Sequence, residues 1–217
     1  MHMKFHMPWG IENMLKIGKI WSRNQYARSA RDVAPALLGQ YIIHETPQGI
    51  LAGRIVETEA YGGTYRRQAD DGSHAFRGLT ARTEPMFRCG GWSYIYLIYG
   101  MYCCMNVVTG PAGEGQAVLI RAVEPVEGMP IMCCNRHAER VTVNLTNGPG
   151  KLCQAMALTR SENGLDLCAS HLYIASPAQA ERISIHTSKR IHIDYAVKGK
   201  EFPWRFYIAG HPFVSKG

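Results

Sequence analysis

The sequence predicts an α+β fold: a single domain on a curved, mostly antiparallel β-sheet, with a protruding β-hairpin and several flanking helices. Three observations carry this. Strand-like segments dominate and follow one another without strand–helix–strand alternation, a pattern that disfavours a parallel sheet. A glycine-centred aromatic hairpin, SYIYLIYGMYCCMN at 93–106, stands in the middle of the chain. The length of 217 residues suits one domain with a substantial core and is short for two.

Residues 1–22 read as a peripheral N-terminal extension and residues 23–217 as the single domain. The stretch 25–38 (QYARSARDVAPALL) reads as helix, with Ala27, Ala30, Val33, Leu37 and Leu38 near one stripe and Gly39 at its end. Pro35 argues for a break there or a first-turn position. QYIIHET and GILAGRIVETEA read as two strands joined by the turn PQG. Residues 62–91 are polar and rich in Gly and Arg; an ordered loop of that length in a compact domain is usually functional. After the aromatic hairpin, QAVLIRAVEP is a buried strand. Residues 129–147 read as an irregular or helical insertion, and GPGKLCQAMAL opens a helix after Gly and Pro. Strand-like stretches near 183–193 and 204–209 close the chain.

Composition excludes several classes. Hydrophobic residues at 46% and charged ones at 19% describe an ordinary globular protein. LYIASPAQA is too short to span a bilayer, and AVLIRAV is interrupted by Arg121. The first 21 residues have no uninterrupted apolar run and no small-residue cleavage site, so no signal peptide is read. An intracellular protein is expected: cytoplasmic and nucleoid-associated in a bacterium, nuclear in a eukaryote. The seven cysteines include two adjacent pairs and no C-x-x-C, which points to reduced, mostly core thiols. The histidines follow no metal-binding spacing, and no metal site is expected. A net charge of +7 favours a polyanionic partner. Basic residues gather at 1–31 and from Arg182 to Arg205, where they could flank one groove.

The hairpin raises a question of parity. Alternation puts Tyr94 and Tyr96 on one face and leaves Tyr99, Met101 and Tyr102 at the tip, around Gly100. A two-residue loop at Gly100-Met101 pairs Tyr99 with Tyr102 and sends Asn106 to the face opposite Tyr96. A three-residue loop pairs Ile98 with Tyr102 and places Asn106 beside Tyr94 and Tyr96, because a one-residue change flips every side chain. Tyrosines suit strands as core. A tip of Tyr, Met and Tyr, however, projects and is hard to bury. Wedges at such a tip open base steps in DNA, and aromatic faces deeper in the strand can stack on a base.

A flipped base needs chemistry beside it, and GRIVETEAYGG supplies a carboxylate. Glu57 and Glu59 share one strand face, with Cα atoms roughly 6.5–7 Å apart. Glu59 falls at the strand's end beside Tyr61, where chain and solvent meet, a position suited to a general base. The same pair admits a sugar glycosidase with an acid and a base, ranked lower because such enzymes gather carboxylates from different strands. Arg121 lies in an apolar strand, where a charge is costly unless paired, and Glu59 is its obvious partner. No lysine sits beside Glu59, which favours water over an amine nucleophile.

RIVETEAYGG, SHAFRG, TARTEPMF at 80–87, YIYLIYGMYCCMNVV, AVLIRAVEPVEG, NGPGKLCQA and PWRFYIAGHPFVS occur in that order between Val33 and Ser215. Together they resemble the alkyladenine (3-methyladenine) DNA glycosylase family. The resemblance implies a monofunctional base-excision repair enzyme that needs neither metal nor cofactor. It would flip an alkylated or deaminated purine from duplex DNA and hydrolyse the N-glycosidic bond, leaving an abasic site. By matching motif, Glu59 would activate the water, and Arg121 would orient that water or the carboxylate. Tyr61, His74 and Tyr96 would wall the flipped base. Tyr99 would fill the vacated stack, with Met101 and Tyr102 beside it at the DNA. Asn106 would crowd the exocyclic amino group of guanine, and the main chain near Ile191 would help hold the water. An alkylated purine carries positive charge, which an aromatic box attracts.

Damaged double-stranded DNA is the expected partner. No protein partner is required, and a monomer is expected. The sequence departs from the family at His192, where glycine is common; residues 129–147 match weakly and residues 1–22 do not match. A non-catalytic DNA-binding module and a sugar glycosidase using Glu57 and Glu59 stand as alternatives.

Overall fold

The computed structural model describes residues 17–216, so residues 1–16 of the segment read as peripheral lie outside the described residues. The remainder of that segment is joined to the fold. Strand β1 (Ile17–Ile20) pairs antiparallel with a later strand, and Trp21 is buried. The helix read over 25–38 is two helices, α1 (Arg23–Tyr26) and α2 (Ala30–Leu37). Ser29 separates them, its hydroxyl accepting the Asp32 N–H at 3.3 Å as an N-cap. Pro35 neither breaks α2 nor opens it. It sits inside, and the carbonyl one turn earlier that it leaves without a donor belongs to exposed Arg31.

The expected hairpin follows as β2 (Tyr41–Thr46) and β3 (Gly49–Tyr61). The long polar segment holds a small ribbon, β4 (Thr64–Tyr65) and β5 (Gln68–Ala69), then 3-10 turns at His74–Arg77 and Glu84–Phe87. β6 (Ser93–Ile98) and β7 (Tyr102–Thr109) form the aromatic hairpin, and β8 (Gln116–Glu127) is the buried strand. α3 (Met129–Asn135) occupies part of 129–147, and α4 (Pro149–Ala155) opens on proline, whose missing N–H costs nothing in a first turn. β9 (Leu172–Pro177) was missed in the sequence, because its apolar alternation ends after Leu172 and Ile174. β10 (Ile185–Ser188) and β11 (Arg205–Ile208) are shorter than the stretches read there.

The main sheet runs β1-β9-β2-β3-β8-β7-β6, with β11 joined to β3 and β10 to β11. All of these pairs are antiparallel. β3 is 13 residues long because one of its edges serves two neighbours. β2 pairs with residues 49–54, and β11 pairs with Glu57–Glu59. The β3–β8 register shifts around Ile55–Thr58. Such bulges bend a strand, and here the bend marks the handover between neighbours.

The two faces of the sheet differ. One carries the main core, where α2 and α4 pack on Ile42, Leu51, Ile55, Ala60, Val107 and Ile120. The Thr58 hydroxyl donates to the Ala34 carbonyl of α2 at 2.8 Å, so Thr58 faces the helices and its neighbours Glu57 and Glu59 face the other way. On that other face a smaller cluster, Tyr94, Val108, Ala117 and Met86, holds the polar segment against the sheet. All seven cysteines are free, but only Cys104 and Cys153 are buried, fewer than the sequence suggested. Among the described residues, no helix is long and apolar enough to cross a membrane.

Candidate active site

One row of cross-strand partners builds the site. Arg205 pairs with Glu59, Glu59 with Leu119, Leu119 with Asn106, and Asn106 with Tyr94. Directly opposed residues share a face, so strand pairing alone puts a carboxylate, a carboxamide and an aromatic ring on the helix-free side. With strands about 4.8 Å apart, Glu59 and Asn106 lie roughly 10 Å apart across Leu119.

The hairpin resolves the parity in favour of the three-residue loop. Ile98 pairs with Tyr102, leaving Tyr99-Gly100-Met101 as the loop, and Asn106 lies with Tyr94 and Tyr96. Tyr99 and Gly100 are both left-handed, at φ 51° and 70°. Glycine adopts that conformation freely, whereas a tyrosine there stores strain of ~1–3 kcal/mol. Tyr99 is 87% exposed and Met101 71%, with Tyr102 exposed behind them. The tip is therefore a projecting apolar wedge and not core.

Behind the tip, three aromatic rings form one wall. His74 meets Tyr96 edge-on at 4.6 Å between centroids, and Tyr94 lies 5.3 Å from Tyr96. The His74 Nδ1 and the Tyr94 hydroxyl are 3.0 Å apart. Arg82 lies over the Tyr96 ring at 5.2 Å. Burial, followed by the Arg82 charge, lowers the His74 pKa from the ordinary 6.5 to about 4, so the imidazole is neutral at neutral pH. Unfolded chain takes up this proton more readily than folded protein. The contribution of neutral His74 to stability is therefore complete above pH 6.5 and is lost as the pH falls toward 4. Thermal melts of wild type and His74→Asn between pH 7 and 4 check this. The wild type's lead should shrink with falling pH, and a constant gap would contradict it.

Asn106 is buried, and its Nδ2 donates to the Tyr94 carbonyl at 3.0 Å. Glu59 is not at the solvent boundary, as the sequence suggested, but fully buried. β3 continues to Tyr61, and the Tyr61 hydroxyl turns back to donate to Glu59 Oε2 at 2.8 Å. Burial and the Glu59 charge push the Tyr61 pKa well above its usual range, which keeps that hydroxyl a donor. Arg121 Nη1 reaches the same oxygen at 3.3 Å. Glu59 Oε1 accepts the Ile191 N–H at 2.8 Å. A carboxylate oxygen accepts two bonds, so Oε2 is filled and Oε1 keeps one lone pair. The main-chain group of Ile191 thus holds the carboxylate. His192 beside it adopts φ 57°, a left-handed conformation that glycine takes freely and that is uncommon for other residues.

Glu57 plays a different part. It accepts from Arg121 Nε at 3.0 Å, Arg205 Nε at 2.7 Å, Ser215 N–H at 2.7 Å and the Ser215 hydroxyl at 2.8 Å. Its carboxylate is consumed in fastening the C-terminal segment to the sheet, and Arg121 bridges it to Glu59.

Two residues that the sequence did not single out shape the site. Arg190 and Asp70 form a two-pronged ion pair at 2.5 and 2.7 Å, with both side chains fully buried. Arg190 also donates to the Ala60 and Gly199 carbonyls and lies 4.5 Å above the Tyr61 ring. It directly precedes Ile191, so this pair fixes the segment that holds Glu59 and the ring that covers it. The basic stretch from Arg182 to Arg205 therefore does not simply line a groove, because Arg190 and Arg205 are internal.

A family profile described as methylpurine-DNA glycosylase matches residues 24–212. The chain is 45% identical over 201 residues to a protein of Desulfitobacterium hafniense provisionally named 3-methyladenine DNA glycosylase, covering 89% of this chain and 97% of that one. Proteins with the same name from Alkaliphilus oremlandii and Bacillus thuringiensis are 44% and 45% identical over 202 and 201 residues. Those matches cover 89% and 88% of this chain and 98% and 96% of the relatives.

Proposed function

Because the chain belongs to the methylpurine-DNA glycosylase family, we propose that it is a monofunctional DNA glycosylase that flips alkylated or deaminated purines out of duplex DNA and hydrolyses their N-glycosidic bond. The cross-strand row from Glu59 through Asn106 to Tyr94, beneath a projecting tyrosine tip, supports this assignment.

The geometry supports the following steps. Tyr99 enters the stack and replaces the departing nucleotide, with Met101 and Tyr102 against the neighbouring bases. Tyr61, His74 and Tyr96 wall the flipped purine, with His74 and Tyr96 at a steep angle to each other. Neutral His74 adds no positive charge to a pocket for cationic bases, so cation–π attraction to the rings is retained. Asn106, held by the Tyr94 carbonyl, crowds the exocyclic amino group of guanine. The free lone pair of Glu59 Oε1 takes a proton from water as the oxygen attacks C1′. The C1′–N bond breaks with its electrons on the purine: a cationic alkylated purine leaves as the neutral base, and a neutral deaminated purine takes up a proton from solvent as it leaves. Arg121 and the Ile191 N–H hold the carboxylate in place. Tyr61 both covers Glu59 and lines the pocket, so base entry and exposure of the carboxylate are coupled. The protein acts on duplex DNA as a monomer, at the nucleoid in a bacterium.

The alternatives fare worse. An acid/base pair of Glu57 and Glu59 would need Glu57 to act on the substrate, whereas its carboxylate is fully buried and tied by Arg121, Arg205 and both polar groups of Ser215. A binding module without chemistry would have no use for a buried carboxylate with an unfilled lone pair, an arrangement that costs stability.

Release of free base from a duplex with one hypoxanthine or one alkylated purine tests the activity. Tyr99→Ala tests the wedge. Lesion binding should weaken by about 1–3 kcal/mol, the scale of one stacking contact, with the melting temperature unchanged because the ring is exposed. Equal affinity for both proteins would exclude insertion.

A further inference from the structure

We propose that His44, Glu162 and His171 form a binding site for one divalent transition-metal ion of the zinc class, separate from the Glu59 site. Their donor atoms all lie within 4.8 Å of one another. They come from β2, the 3-10 turn Arg160–Glu162 and the residue preceding β9. No local spacing could have announced them, and the sequence led to no metal site being expected. They line a cleft of about 360 Å³. His44 is paired in register with Leu51 and Leu172, both part of the main core. The cluster therefore lies on the helix side of the sheet, with Glu59 on the other.

Each ligand is prepared. His44 is buried, and its Nδ1 lies 2.8 Å from the Met156 carbonyl. A carbonyl can only accept, so Nδ1 carries the proton and Nε2 keeps its lone pair, the arrangement that orients metal-binding histidines. The exposed His171 ring stands beside it, 5.5 Å between centroids and tilted by 31°. Glu162 supplies charge. Its Oε2 accepts the Thr159 N–H at 2.6 Å and the Thr159 hydroxyl at 3.0 Å, while Oε1 accepts only the Ser161 hydroxyl at 2.7 Å. One lone pair remains on Oε1.

Two imidazoles, one carboxylate and an open fourth position suit zinc and its neighbours cobalt, nickel and copper, whereas calcium and magnesium prefer all-oxygen sites. Bonds of 2.0–2.2 Å call for ligand separations of about 3.4 Å, so exposed His171 or half-buried Glu162 must close by up to about 1.4 Å. The ion would act as a brace. The Glu162 carbonyl accepts the Ser93 hydroxyl, and Asn163 Oδ1 accepts the Ile95 N–H at 2.8 Å. Tying this turn to β2 therefore fastens the root of the aromatic hairpin.

A Co²⁺ titration followed by visible absorption, with Zn²⁺ competition and melts in Zn²⁺, tests the site on the full chain. One equivalent of Co²⁺ should give d–d bands that Zn²⁺ abolishes, and Zn²⁺ should raise the melting temperature. His171→Ala, at an exposed position, should weaken Co²⁺ binding by more than about tenfold and remove the thermal shift. Glu162→Gln, which keeps an acceptor for the Thr159 turn, should do the same. No binding, equal binding by wild type and His171→Ala, or a thiolate-to-cobalt band from a cysteine would each overturn the proposal.

Discussion

Glu59→Gln is expected to slow excision of hypoxanthine by about 10²–10⁴-fold, the contribution of a positioned general base, while lesion binding stays close to wild type. The substitution is nearly isosteric. The glutamine carbonyl can still accept the Ile191 N–H, and Arg121 keeps its bond to Glu57 at 3.0 Å. What disappears is the basic lone pair on Oε1. The amide nitrogen takes the place of Oε2, where the Tyr61 hydroxyl can turn to accept from it, and Tyr99, His74 and Tyr96 make no hydrogen bond to Glu59, so affinity for a lesion duplex should survive. Single-turnover rates and equilibrium binding, measured side by side, check the two halves separately. A variant that loses both in equal measure would point to a collapsed site and not to a missing base.

The second large effect is expected at Asp70 and Arg190. Asp70→Asn removes the counter-charge of a fully buried guanidinium, leaving it one carboxamide oxygen, the Ala60 and Gly199 carbonyls and the rings of Tyr61, Trp204 and Phe202. Removing one partner of such a pair typically costs 3–5 kcal/mol, on the order of the whole margin of a small domain. Asp70→Leu combined with Arg190→Met should be more stable than either single variant, because no unpaired charge remains buried. Excision should stay slow in the double variant even where stability returns. The Ile191 N–H and the Tyr61 ring would then have lost the group that fixes them. Chemical denaturation of wild type, Asp70→Leu, Arg190→Met and the double variant, with excision rates for each, checks this. Additive destabilisation in the double variant would contradict the pairing, and full activity there would contradict the positioning role.

The sequence exposed those parts of the site that depend on local periodicity. Alternation in GRIVETEAY put Glu57 and Glu59 on one face, and the hairpin's two possible registers were both visible, with Asn106 as their discriminator. Long-range pairing was not visible. Glu59 looked like a strand-end carboxylate because nothing near it in the chain tells of Tyr61 turning back or of Ile191 arriving from the far end of the sequence. Arg190 looked like one more surface cation. Its neutralising partner Asp70 lies 120 residues away, and only the tertiary fold distinguishes a buried arginine from an exposed one. Glu57 admitted a reading as a catalytic partner for the same reason, since its donors Arg121, Arg205 and Ser215 all come from later strands or the C-terminal segment. The helix errors were smaller. Ser29 offers a side-chain cap that splits a pattern that periodicity alone ran together, and the carbonyl that Pro35 leaves without its helical donor belongs to exposed Arg31.

The assignment of Glu59 as the general base meets its most direct test in single-turnover excision on a labelled duplex carrying one hypoxanthine opposite thymine. Wild type and Glu59→Gln would be compared at saturating enzyme, with an alkylated purine as a parallel substrate. Release of free base by the wild type, with a deficit of at least about 10²-fold in the variant despite equal binding, is the predicted result. Equal release by both proteins, or salt-sensitive binding with no release from either substrate, would contradict it.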